Sequence, residues 1–216
     1  MLVVAAAGAY ALLKAGSDNV SETGGDHGMS TETPDFSFEV RQVVLVPTVL
    51  GDKTSKAQSD TISQSVADEL AAFYKTAYLD PNNWSAGNYD PAWKFFDKTV
   101  VADAKTDADS LTLGDGGGYE TVTPKPGTTS VKILMGAAGK PETVAAQVTF
   151  GVLATDSAGA QTTIASMGEY FLKPVGKEWV IFGFKIEKSS QAGDQIVGSP
   201  PPPTEQPKPS PTSSPS

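Results

Sequence analysis

The sequence predicts an α+β domain in which two to three N-terminal helices pack on one face of a curved antiparallel sheet. Three observations carry that prediction. Apolar residues recur at helical spacing between Asp60 and Ser110. From Tyr119 to Lys188 they recur with a period of two, in five consecutive segments. The connections between the longer of those segments are of hairpin length, and helices gathered ahead of such a meander belong on one side of it. The chain has 216 residues, 39% of them hydrophobic and 19% charged, which suits one folded domain with room for flanking segments.

One extra strand precedes the helices. Phe36, Phe38, Val40, Gln42, Val44 and Val46 share a parity, and Ser37, Glu39 and Arg41 hold the other until Val43 and Leu45 join it. Alternation giving way to a continuous apolar run predicts a strand whose second half is covered on both faces. After a polar loop, Asp60–Leu79 is a helix. Ile62, Val66, Leu70, Phe73 and Ala77 lie on one side of it, Ser59 or Asp60 caps it, and Pro81 stops it. A turn-rich connector from Asp80 follows. Asp90-Pro91 restarts a helix, because proline suits the first helical position and aspartate the cap before it. Trp93, Phe96, Val100 and Ala104 are its apolar stripe, and it runs on towards Ser110.

Gly114–Gly118 ends the helical pattern and reads as a strained or mobile turn. Short strand Tyr119–Val122 comes next. Thr128–Met135 alternates through Val131 and Ile133, and Glu142–Thr155 through Val144, Ala146, Val148, Phe150 and Val152. Gln161–Leu172 carries Ile164, Tyr170 and Leu172. In Lys177–Lys188, Trp179, Ile181 and Gly183 take one parity and Val180, Phe182, Phe184 and Ile186 the other.

The flanks are of another kind. Met1–Leu13 is an apolar run of 13 residues ahead of Lys14. A spanning helix needs about 20, so the run predicts the end of a longer membrane anchor or a signal remnant, against the alternative of a buried N-terminal helix. Gly16–Thr33 is rich in Ser, Thr, Gly, Asp and Glu, a tether composition. From Pro200 to Ser216, eight of 17 residues are proline, which predicts an extended tail outside the fold. The domain plan is therefore anchor or signal remnant 1–15, flexible tether 16–34, α+β domain 35–190 and disordered Pro/Ser-rich tail 191–216.

Composition also narrows the chemistry. With no cysteine there are no disulfides, thiolate metal sites or cysteine nucleophiles. The one histidine, His27, lies in the tether, which leaves no conventional catalytic triad. A net charge of −9 argues against nucleic-acid binding, which needs a basic face.

The element order, closing in Glu169-Tyr-Phe-Leu172, a turn, and Glu178-Trp-Val-Ile-Phe182, resembles the NTF2-like superfamily of cone-shaped α+β domains. The resemblance covers about Ser59 to Glu187 and is architectural. The strand before the first helix departs from the usual order. An NTF2-like cone implies a pocket between helices and sheet, lined in isomerase-type members by a buried aspartate and tyrosine or acid donors. The resemblance also extends to exported and membrane-tethered bacterial members with similar flanks.

Pocket candidates are Tyr74, Tyr78, Trp93, Phe96 and Glu169. Tyr74 and Tyr78, four residues apart on one helix, share a face and read first as rim-of-core aromatics. Glu169 reads first as solvent-facing, with Tyr170 pointing oppositely. Asp97, Asp103, Asp107, Asp109 and Asp115 read as a solvated face rather than a cation loop, since a leucine stands at the fifth position counted from Asp107 and no glutamate closes the loop. Arg41 is expected to pair with a carboxylate on a neighbouring strand. Asn83-Trp-Ser85 is a glycosylation sequon. No catalytic residue, metal or cofactor is assigned. The expectation is a non-enzymatic, membrane-tethered binding or scaffold domain on the extracytoplasmic face of the cell envelope, or secreted, with an envelope protein as partner. The rival is a small-molecule carrier or an isomerase- or dehydratase-like enzyme using the cone pocket.

Overall fold

A computed structural model of the chain describes residues 32–47, 55–136 and 139–194. The expected anchor, nearly all of the tether and the tail beyond Asp194 lie outside the described residues. The strands are β1 (Phe38–Pro47), β2 (Tyr119–Pro124), β3 (Gly127–Met135), β4 (Pro141–Asp156), β5 (Gln161–Val175) and β6 (Glu178–Ala192). Their order is β1-β3-β4-β5-β6, with β2 also paired to β4. β2 and β3 lie end to end along β4, because neither Pro124 nor Pro126 can donate to a ladder.

The α+β class holds, but the sheet is mixed rather than antiparallel. β1 runs parallel to β3. A parallel pair needs a long crossover, and the whole helical segment between the two strands supplies it. Alternation along β1 carries no information about its direction.

The second half of β1 is also not covered on both faces. Val40 faces Thr129 and Gln42 faces Ser130, so Arg41 is an extra, bulged residue. The bulge switches parity: Phe38 and Val40 face the core before it, and Val43 and Leu45 after it, while Val44 stays exposed. Arg41 lies 3.5 Å from Glu39 of its own strand instead of a neighbour's carboxylate. The other edge strand carries the same device. Phe171 pairs with Gly183 and Leu172 with Ile181, which leaves Phe182 extra. Trp179 and Ile181 face inward on one side of the bulge, and Phe184 and Ile186 on the other.

The long helix α1 (Lys56–Tyr74) begins earlier than its apolar stripe suggests. Ser55 is its cap, its Oγ accepting from Gln58 N at 3.2 Å. Its buried side, Ile62, Val66, Leu70, Phe73 and Tyr74, packs against β1, β3 and β6. A π-helical turn, Lys75–Leu79, continues it. Asp80 then caps the short helix α2 (Pro81–Trp84), its Oδ1 accepting from Asn82 N.

The single helix expected from Asp90 is three pieces: a 3-10 helix (Asp90–Phe95), α3 (Val101–Thr106) and α4 (Ala108–Leu111). One long-range bond and two local ones break it. Asp97 N donates to Ile181 O of β6 at 2.7 Å, and Asp97 Oδ1 accepts from both Thr99 N and Thr99 Oγ1. Short polar side chains that bond their own backbone compete with helix in this way.

β6 runs to Ala192, and the end of the fold is tied down just beyond it. Gly193 N donates to Gln161 O, and Thr163 Oγ1 donates to Gly193 O, both at 2.8 Å. Lys125 Nζ reaches Asp194 Oδ1 at 2.5 Å and Thr163 Oγ1 at 3.2 Å.

Candidate functional site

The inner face of the sheet and the helices above it enclose a cluster of rings. β4 contributes Phe150, on the same parity as Val144, Ala146, Val148 and Val152. β5 contributes Tyr170, α1 Phe73 and Tyr74, and the π-helical turn Tyr78. All five are wholly buried. Tyr74 lies 4.5 Å from Phe150 and 5.3 Å from Tyr78 between ring centroids, the tyrosine pair stacked at 22°. Phe36 and Phe38 close the cluster from the strand side at 5.0 Å and 6.3 Å from Phe150. Tyr74 and Tyr78 are thus the centre of the core and not its rim. Helical spacing shows that two residues share a face. It does not show how deep that face is buried.

The hydroxyls of this cluster are satisfied internally. Tyr170 OH donates to Tyr74 OH at 3.2 Å, and Tyr74 OH and Ser166 Oγ share a bond of 3.0 Å. Tyr78 OH donates to Ser110 O at 2.9 Å. Burial pushes the Tyr74 phenol up to about 12, against the smaller opposing pull of its bonds to Ser166 and Tyr170. Burial likewise holds Tyr78 and Tyr170 well above the ordinary tyrosine value. All three are neutral hydrogen-bonding groups at physiological pH. The buried polar side chains among the described residues are hydroxyls and the amide of Asn83; none is a carboxylate. Proton abstraction needs a base within hydrogen-bond reach, and the cluster does not contain one. What it can do is bond and pack.

Trp93 and Phe96 are buried as well, 6.0 Å apart, and join the cluster through Phe73, which is 5.3 Å from Phe96. Four of the five candidates therefore come together on the inner side. Glu169 does not: it sits half-buried on the outer face, opposite Gln147 and Lys185. There it lines a trough of about 320 Å³ with Gln147, Met167, Gly168, Lys185 and Glu187. Gly168 lets the backbones of β5 and β6 approach closely beside it. At φ 148 it has a conformation that favours glycine, and an added Cβ would stand 2.0 Å from Lys185 O. Phe150 and Ser166 were missed as site residues. Their signal was parity, Phe150 among the valines of β4 and Ser166 between Ile164 and Tyr170.

The remaining motifs are structural. Asp103, Asp107, Asp109 and Asp115 are exposed, Asp97 is paired with Lys173 at 2.6 Å, and no group of three or more candidate metal ligands gathers among the described residues. The start of the glycine run is held by hydrogen bonds. Tyr89 OH donates to Gly114 O, and Lys188 Nζ to Thr112 O at 3.1 Å. Gly116 lies so close to Trp84 that a Cβ would stand 3.1 Å from its ring. Burial lowers the pKa of Lys188. The sequon is closed in the folded domain, since Asn83 is buried and its Nδ2 donates to Thr76 O at 2.9 Å. Among the described residues no helix is long and apolar enough to cross a membrane.

No protein-family model, curated protein or solved structure matches this chain.

Proposed function

We propose that the chain is a non-enzymatic binding or scaffold domain, held by its N-terminal segment on the extracytoplasmic face of a membrane and engaging a protein of the cell envelope. The observation that carries the non-enzymatic reading is the filled interior. Where a catalytic cone would hold substrate, Phe150, Tyr74, Tyr78 and Tyr170 meet ring to ring with no exposure, and no buried carboxylate accompanies them among the described residues. Ligand sites are concave and carry a few convergent polar groups free to bind, whereas these hydroxyls are used on one another.

The localisation rests on the sequence: the apolar run Met1–Leu13 and the Gly- and Ser-rich stretch after it. We also infer an NTF2-like cone. α1 packed on the inner face and the tight turn before Trp179 support it; the parallel pairing of β1 is the feature that departs from it.

Protease shaving tests the reading. With the protein expressed from its genomic start, protease added to intact cells should remove an epitope placed after Ser216, and the protein should sediment with membranes. Protection until lysis overturns the location. The carrier or enzyme reading is tested separately by screening small molecules for shifts in the ring signals of Tyr74 and Tyr170. A binder that moves them means that the interior opens, and the non-enzymatic reading falls.

A further inference from the structure

A sheet edge presents a row of backbone N–H and C=O groups without partners, and proteins blunt such edges with charge, proline, bulges or a covering segment. Two of the edges here are treated in that way. β2 is six residues long and ends at Pro124. The free side of β6 is covered where Phe96 bridges to Ile181 and Asp97 N donates to Ile181 O.

β1 is treated so only in its first half. There Glu39 and Arg41 are exposed, and Arg41 is the bulged residue. From Gln42 to Val46 the strand is regular and uncharged, and among the described residues its side away from β3 pairs with no other strand. Its apolar side chains are also incompletely covered. Val44 is 37% exposed on the outer face, with Val46 half-buried on the same side. Val43 and Leu45 pack on the core from the inner face and are only half-buried.

This free stretch is complementary to itself. It lies between the bulge at Arg41 and Pro47, which has no N–H to give, and its midpoint is Val44. An antiparallel partner has to set residues of like facing opposite each other. A second copy turned about a two-fold axis at Val44 does so at every position. Val44 then meets Val44 of the second copy on the outer face, and Gln42 meets Val46 on either side of it. On the inner face Val43 meets Leu45, twice over. Glu39 and Arg41 fall outside the paired stretch, so no like charges are opposed. Pairing about a two-fold uses up both free edges and stops at two copies.

We propose that the chain dimerises by antiparallel pairing of Gln42–Val46 with the same segment of a second copy, which joins the two sheets into one. The unpaired backbone groups of the edge are then met by main-chain hydrogen bonds, the means by which a strand is added to an open sheet edge. Val44 and Val46 lose exposure on the outer face, and Val43 and Leu45 on the inner. The polar outer row that runs from Gln42 to Lys185 is continued by its copy across the axis, on one doubled surface. This inference stands apart from the proposed location.

Sedimentation of the full chain should show a monomer–dimer equilibrium. A monomer at every concentration up to about 1 mM overturns the proposal. Val44→Lys, at an exposed position, should unfold cooperatively and sediment as a monomer; a dimer that survives it is held elsewhere and overturns the pairing. Disulfide trapping reads the register without a disruptive change. The chain has no cysteine, so Val44→Cys gives one thiol per copy. It should oxidise to a linked dimer, because opposed side chains stand about 5 Å apart. Gln42→Cys alone should not, its two thiols lying about 14 Å apart along the strands. A mixture of Gln42→Cys and Val46→Cys chains should link to each other. Trapping of Gln42→Cys as fast as Val44→Cys, or none in the mixture, overturns the two-fold at Val44.

Discussion

Two rows of side chains cross the sheet one residue apart and could hardly differ more. The inner row is Val43, Val131, Ala146, Tyr170 and Phe184; the outer is Gln42, Ser130, Gln147, Glu169 and Lys185. Each row is continuous over five strands. The inner is buried or packed on the core, and the outer is polar and open or half-open. Because side chains alternate along a strand, a slip of one residue would exchange the rows. The bulges at Arg41 and Phe182 in the two edge strands keep them in register, for without them Gln42 would follow Phe38 and Val40 inward. The comparison teaches that the chemistry of this domain is divided by face: the inner side spends its polar groups internally, and the outer side keeps them available.

The largest effect should come from hollowing the inner side. Phe150→Ala removes a wholly buried ring with four aromatic neighbours and should cost about 3–5 kcal/mol, read from the urea midpoint. A midpoint equal to the parent's would mean that the cluster is not the core.

Gly168→Ala strikes between the two rows. The φ of 148 alone should cost about 1–3 kcal/mol, and the clash with Lys185 O adds displacement of β6. If thermal unfolding shows no loss, the close approach of β5 and β6 at that point is wrong.

Tyr74→Phe keeps the ring and deletes the hydroxyl. Tyr170 OH and Ser166 Oγ then lose a shared partner, at a cost of about 1–3 kcal/mol. The same site predicts a pH response. In the unfolded chain Tyr74 ionises near its ordinary value of 10.0, whereas in the fold it stays neutral up to about 12. The stabilising contribution is therefore complete below pH 10 and is lost as pH rises from there towards 12. Tyr78 and Tyr170, raised in the same direction, add to it. Stability curves should fall steeply above pH 10, and less steeply in Tyr74→Phe. Parallel curves would place these phenols in solvent.

The outer row should barely respond. Glu169→Gln is expected to change stability by no more than about 0.5 kcal/mol, and a larger loss would show that this face is structural after all. Deleting Arg41 should be milder than its place inside a strand suggests. Val40, Gln42 and Val43 would then alternate regularly with both rows intact, so a cooperative transition near the parent's midpoint is expected.

Much of the fold was legible because periodicity is local. The strands of the meander, the stripe of α1 and the burial of Trp93 and Phe96 follow from spacing that any window of the chain contains. The candidate site was legible only in part. Tyr74 and Tyr78 were found as a pair, but their hydroxyl partners Ser166 and Tyr170 lie 92 and 96 residues further along from Tyr74. The break in the second helical segment has a cause of the same kind, a bond from Asp97 to Ile181 of β6, also far away in sequence.

The amino-acid sequence by itself determined the class of the fold, the two faces of most strands, and the chemistry that cysteine-free, histidine-poor composition excludes. Composition and alternation are sums over neighbours, and neighbours are what a linear chain displays. Only the tertiary structure decided that β1 runs parallel to β3, that one extra residue in each edge strand reverses parity, and that Tyr74 is central rather than peripheral. Each of these depends on which distant groups meet. Strand direction, bulges and buried hydrogen bonds are settled by long-range pairing, where the cost of an unsatisfied polar group or a misplaced apolar one selects a single arrangement from the several that local pattern allows.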